Sequence, residues 1–245
     1  MFKRISVFLY GVASYAVFLA TFLYAIGFIG NFAVPATLDG TPLMSTGQAL
    51  IVDMLLLGIF ALQHSIMARP FFKRWIARFI PESAERSTYV LMSSLALIAL
   101  FVFWQPLGGD VWDVQDPAAR GVLYGCFAFG WLLVLVSTFL INHFDLFGLR
   151  QVWLQLLDRP YRALKFGTPG PYKLVRHPLY LGWLFAFWAT PTMTGTHLLF
   201  AFMTTAYILV AIQLEERDLV DALGDDYVQY RRKVPMILPR LRRAG

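Results

Sequence analysis

The residues with the clearest potential for chemistry are polar groups beside apolar segments near the carboxyl end of the chain. Arg176 and His177 stand immediately before Pro178, a residue that suits the first turn of a helix. Glu215 and Glu216 follow directly on a long apolar stretch. Charged groups at membrane depth are costly unless they face a polar partner. We therefore infer that this part of the chain binds a polar ligand.

Tyrosines surround these charges and widen the range of ligands that they could bind. Tyr227 and Tyr230 are three residues apart, so they share one face of a short helix. Tyr172 and Tyr180 flank the Arg-His pair. In a cofactor with a carboxylate, an amine, a ribose and a flat base, Arg176 would pair with the carboxylate, a glutamate would bind the ribose or amine, and a ring would pack on the base. The alternative is an interfacial belt of Arg, Tyr and Glu residues at the lipid headgroups.

A second set of polar residues lies in the amino-terminal part of the chain. Asp53 and His64 fall in one apolar segment, eleven positions apart. They share nearly one helix face but stand roughly 16 Å apart, which excludes a direct acid–base pair. His143 and Asp145 follow the fourth apolar segment, and Tyr89 opens the third. The structural alternatives are a packing hydrogen bond for Asp53 and ordinary helix-end residues for the others.

The histidines and the cysteine do not indicate a metal site. His64, His143 and His177 all belong to the same predicted side of the membrane, but none has a partner at the i, i+4 spacing of a zinc-binding helix. Cys126, the single cysteine, excludes an internal disulfide and a cysteine cluster. His197 falls in a predicted outer loop and is expected to be solvated. No metal is predicted.

Composition and apolar patterning predict an integral membrane protein. Of the 245 residues, 58% are hydrophobic and 15% are charged, against about 25% charged in soluble domains. The apolar windows are long enough for helices to cross a bilayer core of roughly 30 Å. Four spans are predicted, at 6–30, 48–67, 88–105 and 119–142. Two further stretches, 178–193 and 197–214, form either a full crossing hairpin or a re-entrant one.

Charge predicts the orientation of these spans. If the amino terminus is cytoplasmic, the inner segments are 1–5, 68–87, 143–177 and 215–245. All of the chain's 21 lysines and arginines except Arg120 lie in them. This bias satisfies the positive-inside rule and predicts that both termini are cytoplasmic. The pI near 9.5 then reflects topology and attraction to anionic lipid, and no nucleic-acid partner is predicted.

The expected fold is therefore an all-α integral membrane bundle of about five or six transmembrane helices, with a cytoplasmic C-terminal cofactor-binding segment. The apolar segment 6–30 is too long for the core of a secretory signal and is expected to be retained. We see no linker or repeat and predict a single domain over 1–245. Helices in 1–145 would form the core and the acceptor side, and 146–245 would bind the cofactor.

The C-terminal motif resembles a known family. Gly170-Pro171-Tyr172, Val175-Arg176-His177-Pro178 and Glu215-Glu216 are followed by Gly224-x-x-Tyr227-x-x-Tyr230 and Val234-Pro235. This order resembles the isoprenylcysteine carboxyl methyltransferase superfamily, which includes bacterial phospholipid methyltransferases, over about 165–240. The resemblance implies an S-adenosylmethionine site at the cytoplasmic ends of the last helices and the tail. The cofactor-binding residues that it implies are Tyr172, Leu174, Arg176, His177, Tyr180, Glu216, Tyr227 and Tyr230.

The upstream half is similar to a narrower group. Segments 62–70, 85–91 and 142–150 resemble patterns of the bacterial methanethiol S-methyltransferases, which implies methyl transfer to a small thiol, giving dimethyl sulfide from methanethiol. A thiol with a pKa of about 8.5 or above is mostly protonated at neutral pH, so a base would help. His64, His143 and Asp145 are the candidate bases, because their spans could converge at the inner mouth, and Tyr89 could orient the sulfur.

Three alternatives to a small-thiol methyltransferase are compatible with the pattern. A methyltransferase for a lipid or a prenylated cysteine would need a wide lateral opening to the bilayer. Membrane sterol-type reductases have a comparable C-terminal arrangement but bind NADPH; the Arg-His-Pro-x-Tyr and Gly-x-x-Tyr-x-x-Tyr forms favour the methyltransferase. A transporter is disfavoured because the polar groups gather at one face of the membrane. The sequence makes no prediction about oligomeric state.

Overall fold

The fold is mostly helical. The computed structural model describes residues 1–239. The helices, in chain order, are α1 (Phe2–Gly30), α2 (Thr46–Ala68), α3 (Pro70–Ile76), α4 (Glu82–Phe103), α5 (Pro117–Ile141), α6 (His143–Leu146), α7 (Leu149–Leu156), α8 (Pro178–Trp188), α9 (Gly195–Leu223) and α10 (Asp225–Lys233). Within residues 1–239, two short strands, β1 (Asp110–Asp113) and β2 (Thr192–Thr194), pair in a two-stranded sheet.

In the described part of the chain, five helices are long and apolar enough to cross a membrane: α1, α2, α4, α5 and α9. The chain is a multi-pass, mostly helical membrane protein, and the predicted fold class is confirmed. The four predicted spans correspond to α1, α2, α4 and α5. The third predicted span, α4, begins at Glu82 rather than at residue 88, because its polar first turns continue the helix beyond the apolar stretch on which the prediction rests.

Local sequence explains where these helices start and stop. Ser45 precedes α2, and its backbone N–H and hydroxyl group both contact Gln48 Oε1, at 3.4 and 2.8 Å, as in a capping box. Asn31 ends α1 in the left-handed region, with φ 59°, and its N–H donates to Gly27 O. Pro178 occupies the first turn of α8, as predicted.

One compact unit comprises Met1–Val111, Asn142–Ala163 and Thr194–His197. In it, α4 packs against α1, α2 and α7. Gly148 caps α7 with φ 88°, and a Cβ there would lie 2.8 Å from Ser87 N, so only glycine fits at this contact. Asp53 Oδ1 accepts from Gln105 N at 2.9 Å. That hydrogen bond agrees with the packing role considered for Asp53.

The second compact unit comprises Trp112–Ile141, Leu164–Met193 and Leu198–Gly245, of which 240–245 lie outside the described residues. Its main helix pair is α5 and α8. A Cβ on Gly130 would lie 2.6 Å from Ala186 N and 2.7 Å from Gly182 O. The two backbones therefore touch through paired glycines, a contact found where membrane helices approach closely. The fourth predicted span thus belongs to the same unit as the C-terminal motif, although 1–145 was assigned to the acceptor side.

Gly130→Ala is expected to destabilise the second unit by roughly 1–3 kcal/mol, because the added methyl group must push backbone atoms apart. Gly125→Ala in the same helix is the matched control, since a Cβ there meets nothing within 4 Å. Apparent unfolding temperatures of the two variants in detergent measure the difference. Equal temperatures would show that the glycine contact is unimportant.

The hairpin after Pro178 differs from the simple arrangement of two apolar helices. The eleven residues of α8 cover roughly 16 Å, about half of a bilayer core. Extended chain then follows, through β2 to the start of α9. The predicted solvation of His197 is wrong, because this residue is buried and its Nδ1 lies 3.5 Å from Asp39 Oδ2. Asp39 is also bound to Asn31 and Thr194, so the predicted loop is a packed cluster.

Candidate functional site

The polar centre of the second unit is a buried triad of charged and polar side chains. Arg176 Nε donates to Glu216 Oε1 at 2.7 Å, and His177 Nε2 lies 3.0 Å from the same oxygen. The side chains of Arg176 and Glu216 are 10% and 7% exposed. A buried ion pair is maintained only when its remaining hydrogen bonds are satisfied. The motif residues are therefore brought together, as the sequence predicts.

The same arginine holds the C-terminal tail in place. Arg176 Nη1 donates to Val234 O at 2.6 Å and to Arg231 O at 3.1 Å. Backbone N–H groups of Arg176 and His177 donate to Pro235 O and Met236 O. Arg176 Nε and Nη1 are thus engaged by Glu216 and by the tail, and the pairing of Arg176 with a ligand carboxylate stays a prediction.

Aromatic rings lie beside this triad. The ring of Phe166 is 6.0 Å from Tyr227 and 5.6 Å from Tyr230, centroid to centroid. Tyr230 Oη donates to Tyr172 O at 2.6 Å, and burial raises the pKa of Tyr230 to about 12. Tyr227 and Tyr230 share one face of α10, as the i, i+3 spacing predicts.

Tyr227 carries an unsatisfied polar atom. Its side chain is buried, at 2% exposed, and within residues 1–239 its hydroxyl group has no hydrogen-bond partner. Burial, with the nearby Glu216 carboxylate, raises the pKa of this hydroxyl group, so it stays protonated and able to donate. A buried donor without an acceptor costs about 1–3 kcal/mol. Tyr227 is thus a position at which a ligand would be stabilised.

The remaining predicted cofactor residues have less polar roles. Tyr180 Oη donates to Glu215 Oε2 at 3.0 Å, so both adjacent glutamates are engaged. The side chain of Leu174 is exposed and follows the 3-10 turn at Gly170–Lys173. Burial raises the pKa of the Tyr172 hydroxyl group. All eight predicted cofactor residues lie in the second unit.

In the first unit, the predicted acceptor residues form three separate clusters. The first centres on His64 of α2. Tyr89 Oη lies 2.8 Å from His64 Nε2, and Ser93 Oγ lies 3.1 Å from His64 Nδ1. The guanidinium group of Arg86 stands 5.8 Å from the ring of Tyr89. His64 and Tyr89 are therefore partners, with a second hydroxyl group that fixes the other ring nitrogen.

The second cluster centres on His143, which lies in α6 outside the spanning helices. His143 Nε2 is 2.8 Å from Tyr15 Oη, and Phe18, Phe144 and Phe147 surround the imidazole. Burial lowers the pKa of His143 below its ordinary value. The side chain is therefore neutral in the folded protein at neutral pH.

His143→Gln is expected to weaken the acid sensitivity of the fold. Below about pH 6.5 the unfolded chain binds a proton at His143 that the folded chain resists, so stability falls as the pH decreases; the contribution is at most about 1.4 kcal/mol per pH unit. Glutamine keeps an acceptor for Tyr15. The measurement is the apparent unfolding temperature of the wild type and of His143→Gln as the pH falls from 7.5 to 5.5, a range that brackets the ordinary histidine pKa of about 6.5. The slopes of unfolding temperature against pH are then compared between the two proteins. Identical slopes would contradict the neutral buried state.

The third cluster engages the carboxylate of Asp145. Arg150 Nη1 donates to Asp145 Oδ1 at 2.7 Å, and Tyr161 Oη donates to Oδ2 at 3.2 Å. The guanidinium group of Arg150 also stands 5.2 Å from the ring of Tyr161. Both carboxylate oxygens of Asp145 therefore already accept hydrogen bonds from side chains of the protein. Asp145 is thus a poorer candidate base than either histidine.

Several partners of these residues lie outside the predictions made from the sequence. Tyr15 lies in none of the motifs described above, and Ser93 resembles any small residue of an apolar helix. Phe166 stands a few residues before the Gly-Pro-Tyr turn, and its position in the chain was the only available signal. Arg150 lies in a quoted motif and five residues after Asp145, so that ion pair was the one that could have been found.

Comparison with known proteins identifies the family of the chain. A family model described as phospholipid methyltransferase matches residues 121–225, which include most of α5, all of α8 and the paired glutamates. A methanethiol S-methyltransferase of Crocosphaera subtropica is 57% identical over 97% of this chain and 93% of the relative. One of Mycobacterium tuberculosis is 55% identical over 97% of both. The chain belongs to the methanethiol S-methyltransferase family.

Membership of the methanethiol S-methyltransferase family covers both compact units, since the aligned share reaches nearly the whole chain. Nurim of Bos taurus is also similar, at 32% identity over 69% of this chain and 68% of the relative. No solved structure matches the chain. The family resemblance stated from the motifs is confirmed.

Proposed function

We propose that the protein transfers a methyl group from S-adenosylmethionine to methanethiol, giving dimethyl sulfide. The observation that carries this proposal is the high identity over nearly the whole chain to enzymes named methanethiol S-methyltransferase. The buried triad and the tyrosines of the second unit support it, because they match the cofactor motif residue by residue.

The second unit has donors and acceptors that fit S-adenosylmethionine. The unsatisfied hydroxyl group of Tyr227 is a donor for a carboxylate or ribose oxygen. Glu215 and Glu216 are acceptors for the amino group and the ribose hydroxyls. The rings of Phe166 and Tyr230 offer faces for the adenine or for the positive sulfonium. Arg176 is a positioning residue in this proposal, since it holds Glu216 and the tail.

When bound, S-adenosylmethionine would supply an activated methyl group, and the sulfur–methyl bond of the cofactor would break as the new carbon–sulfur bond forms. The products are dimethyl sulfide, S-adenosylhomocysteine and one proton, which leaves the thiol. The chain's own residues must hold that proton and exclude water. Selectivity for a one-carbon thiol would come from a small apolar cavity, since such a thiol makes few hydrogen bonds.

For the proton, we propose His64 as the base and Tyr89 as the group that orients the sulfur. Their 2.8 Å contact joins a hydroxyl group to an imidazole, and Ser93 fixes the other ring nitrogen. A neutral imidazole accepts a proton at only one of its two nitrogens. The hydrogen-bond partners of His64 therefore matter, because they decide which nitrogen is the acceptor. His143 and Asp145 are the other candidates, and Asp145 is the weaker because of Arg150.

The setting proposed for this reaction is the bacterial cytoplasmic membrane, with both termini in the cytoplasm. The supporting observation is the distribution of lysine and arginine, which leaves Arg120 alone on the other side of the predicted spans. The inner segment 215–245 includes α10 and the tail; its last residues, 240–245, lie outside the described part. The oligomeric state stays open.

Methyl-labelled S-adenosylmethionine tests the reaction class. The purified protein in detergent is supplied with methanethiol, with a phospholipid extract or with a prenylated cysteine, and the label is followed into each product. We expect label in a volatile product with methanethiol alone. Label in the lipid fraction would favour a phospholipid substrate, as the description of the family model suggests. NADPH oxidation without label transfer would favour a reductase.

A further inference from the structure

An exposed cluster of aromatic and basic side chains lies between two membrane-spanning helices of the first unit. It occupies residues 69–79, which include the short helix α3, and we call it the basic aromatic segment. The segment follows α2 directly and stops just before α4. Both neighbours are candidate membrane spans, so the segment lies where the chain leaves the membrane and re-enters it.

The aromatic side chains of the segment lie on the protein surface. Phe71, Trp75 and Phe79 are 57%, 49% and 69% exposed. Phe71 and Trp75 are four residues apart in α3 and so lie along one side of that helix. Trp75 contacts Phe79, with ring centroids 5.3 Å apart, and Phe72 at 5.2 Å. Exposed aromatic groups this close together form an apolar patch rather than scattered single residues.

The segment is also strongly basic. Arg69, Lys73, Arg74 and Arg78 fall within it, and residues 69–81 include no acidic residue. Arg74 and Arg78 are exposed. Acidic residues return at Glu82 and Glu85 in the first turn of α4. A cluster of cations beside exposed aromatic rings complements a surface that is anionic and also has an apolar layer beneath its charges.

We propose that the basic aromatic segment binds anionic phospholipid at the surface of the bilayer that holds α2 and α4. Phe71, Trp75 and Phe79 enter the headgroup layer, where aromatic rings are favoured, and Arg74 and Arg78 bind the phosphates. Each cation near an anionic surface adds to the free energy of binding, and salt weakens that contribution by screening the charges. Continuity with two spanning helices selects lipid over an acidic protein partner, since these helices hold the segment at the surface.

Immersion of the aromatic side chains is tested in nanodiscs by a nitroxide label at Phe79→Cys in a Cys126→Ser background. The control label is at Asp110→Cys, on the exposed acidic strand β1. We expect the label at 79 to be more accessible to oxygen than to a water-soluble nickel chelate, and the label at 110 to show the reverse. A label at 79 that is as accessible to the chelate as the control would overturn the proposal.

The charge contribution is tested by retained lipid. Wild type and Arg74→Gln/Arg78→Gln are purified from bilayers of phosphatidylcholine and phosphatidylglycerol, and the bound lipid is counted by native mass spectrometry. We expect retained phosphatidylglycerol to fall roughly 5- to 30-fold in the double variant, with phosphatidylcholine unchanged. The control variant Arg232→Gln/Lys233→Gln removes the same charge from α10, which belongs to the second unit. An equal loss in that control, or no loss in either, would overturn a specific lipid site.

Discussion

Glu216→Gln is expected to lower the affinity for S-adenosylmethionine by about 30-fold or more. Glu216 accepts from Arg176 and contacts His177 in a buried setting, and neutralising it leaves the arginine charge without its partner. In the proposed site Glu216 also accepts from the ribose or the amino group of the cofactor; a hydrogen bond to a charged group contributes about 1.5–3 kcal/mol, and 1.4 kcal/mol is a factor of ten in binding. Calorimetry with the purified protein in detergent measures the change.

Loss of binding must be separated from loss of folding, since Arg176 also fixes the tail. Glu215→Gln is the matched control. It changes the adjacent residue of the same helix, which accepts from the hydroxyl group of Tyr180 rather than from Arg176, and we expect a smaller effect. Apparent unfolding temperatures of both variants show whether the fold survives. Normal cofactor affinity in Glu216→Gln, with an intact fold, would contradict the proposed cofactor site.

His64→Ala and Tyr89→Phe are expected to bind S-adenosylmethionine normally and to lose turnover with methanethiol. General-base catalysis contributes about 10²- to 10⁴-fold, so His64→Ala should lose that range at neutral pH. Activity should recover partly as the pH rises, because more of the thiol is then ionised without help. The decisive measurement is the turnover rate with methanethiol as a function of pH at a saturating concentration of cofactor.

The recovery at high pH distinguishes a base from a residue that only packs. Asp145→Asn is the comparison variant, since Arg150 already holds that carboxylate, and we expect little recovery from it. His143→Gln tests the remaining candidate in the same assay. If His64→Ala and Tyr89→Phe both turn over normally at pH 7, the base lies elsewhere; recovery in His143→Gln alone would move the assignment to α6.

Features encoded locally could be predicted from the sequence. Pro178 at the start of α8 and the tyrosine spacing of α10 depend on nearest neighbours, and both are confirmed. The apolar windows located the spans for the same reason. The helix ends were less accurate, because polar first turns such as Glu82–Ser87 continue a helix that hydropathy alone cuts short.

Features that depend on distant parts of the chain could not be predicted. Arginine is usually an exposed residue, so the motif alone does not predict a buried Arg176. Its hydrogen bond to Val234 O requires the tail to fold back across more than fifty positions. The partner of His143 comes from α1, on which no motif stood. His197 was placed in solvent by its loop position, whereas the cluster around Asp39 buries it. Such pairings are set by tertiary packing, which no local pattern records.

The most direct test of the proposed function is headspace gas chromatography of the purified protein with methanethiol and S-adenosylmethionine. We predict cofactor-dependent dimethyl sulfide from the wild type, with S-adenosylhomocysteine formed in equal amount, and strongly reduced production by Glu216→Gln and His64→Ala. No dimethyl sulfide from folded wild-type protein that binds the cofactor would contradict the proposed reaction.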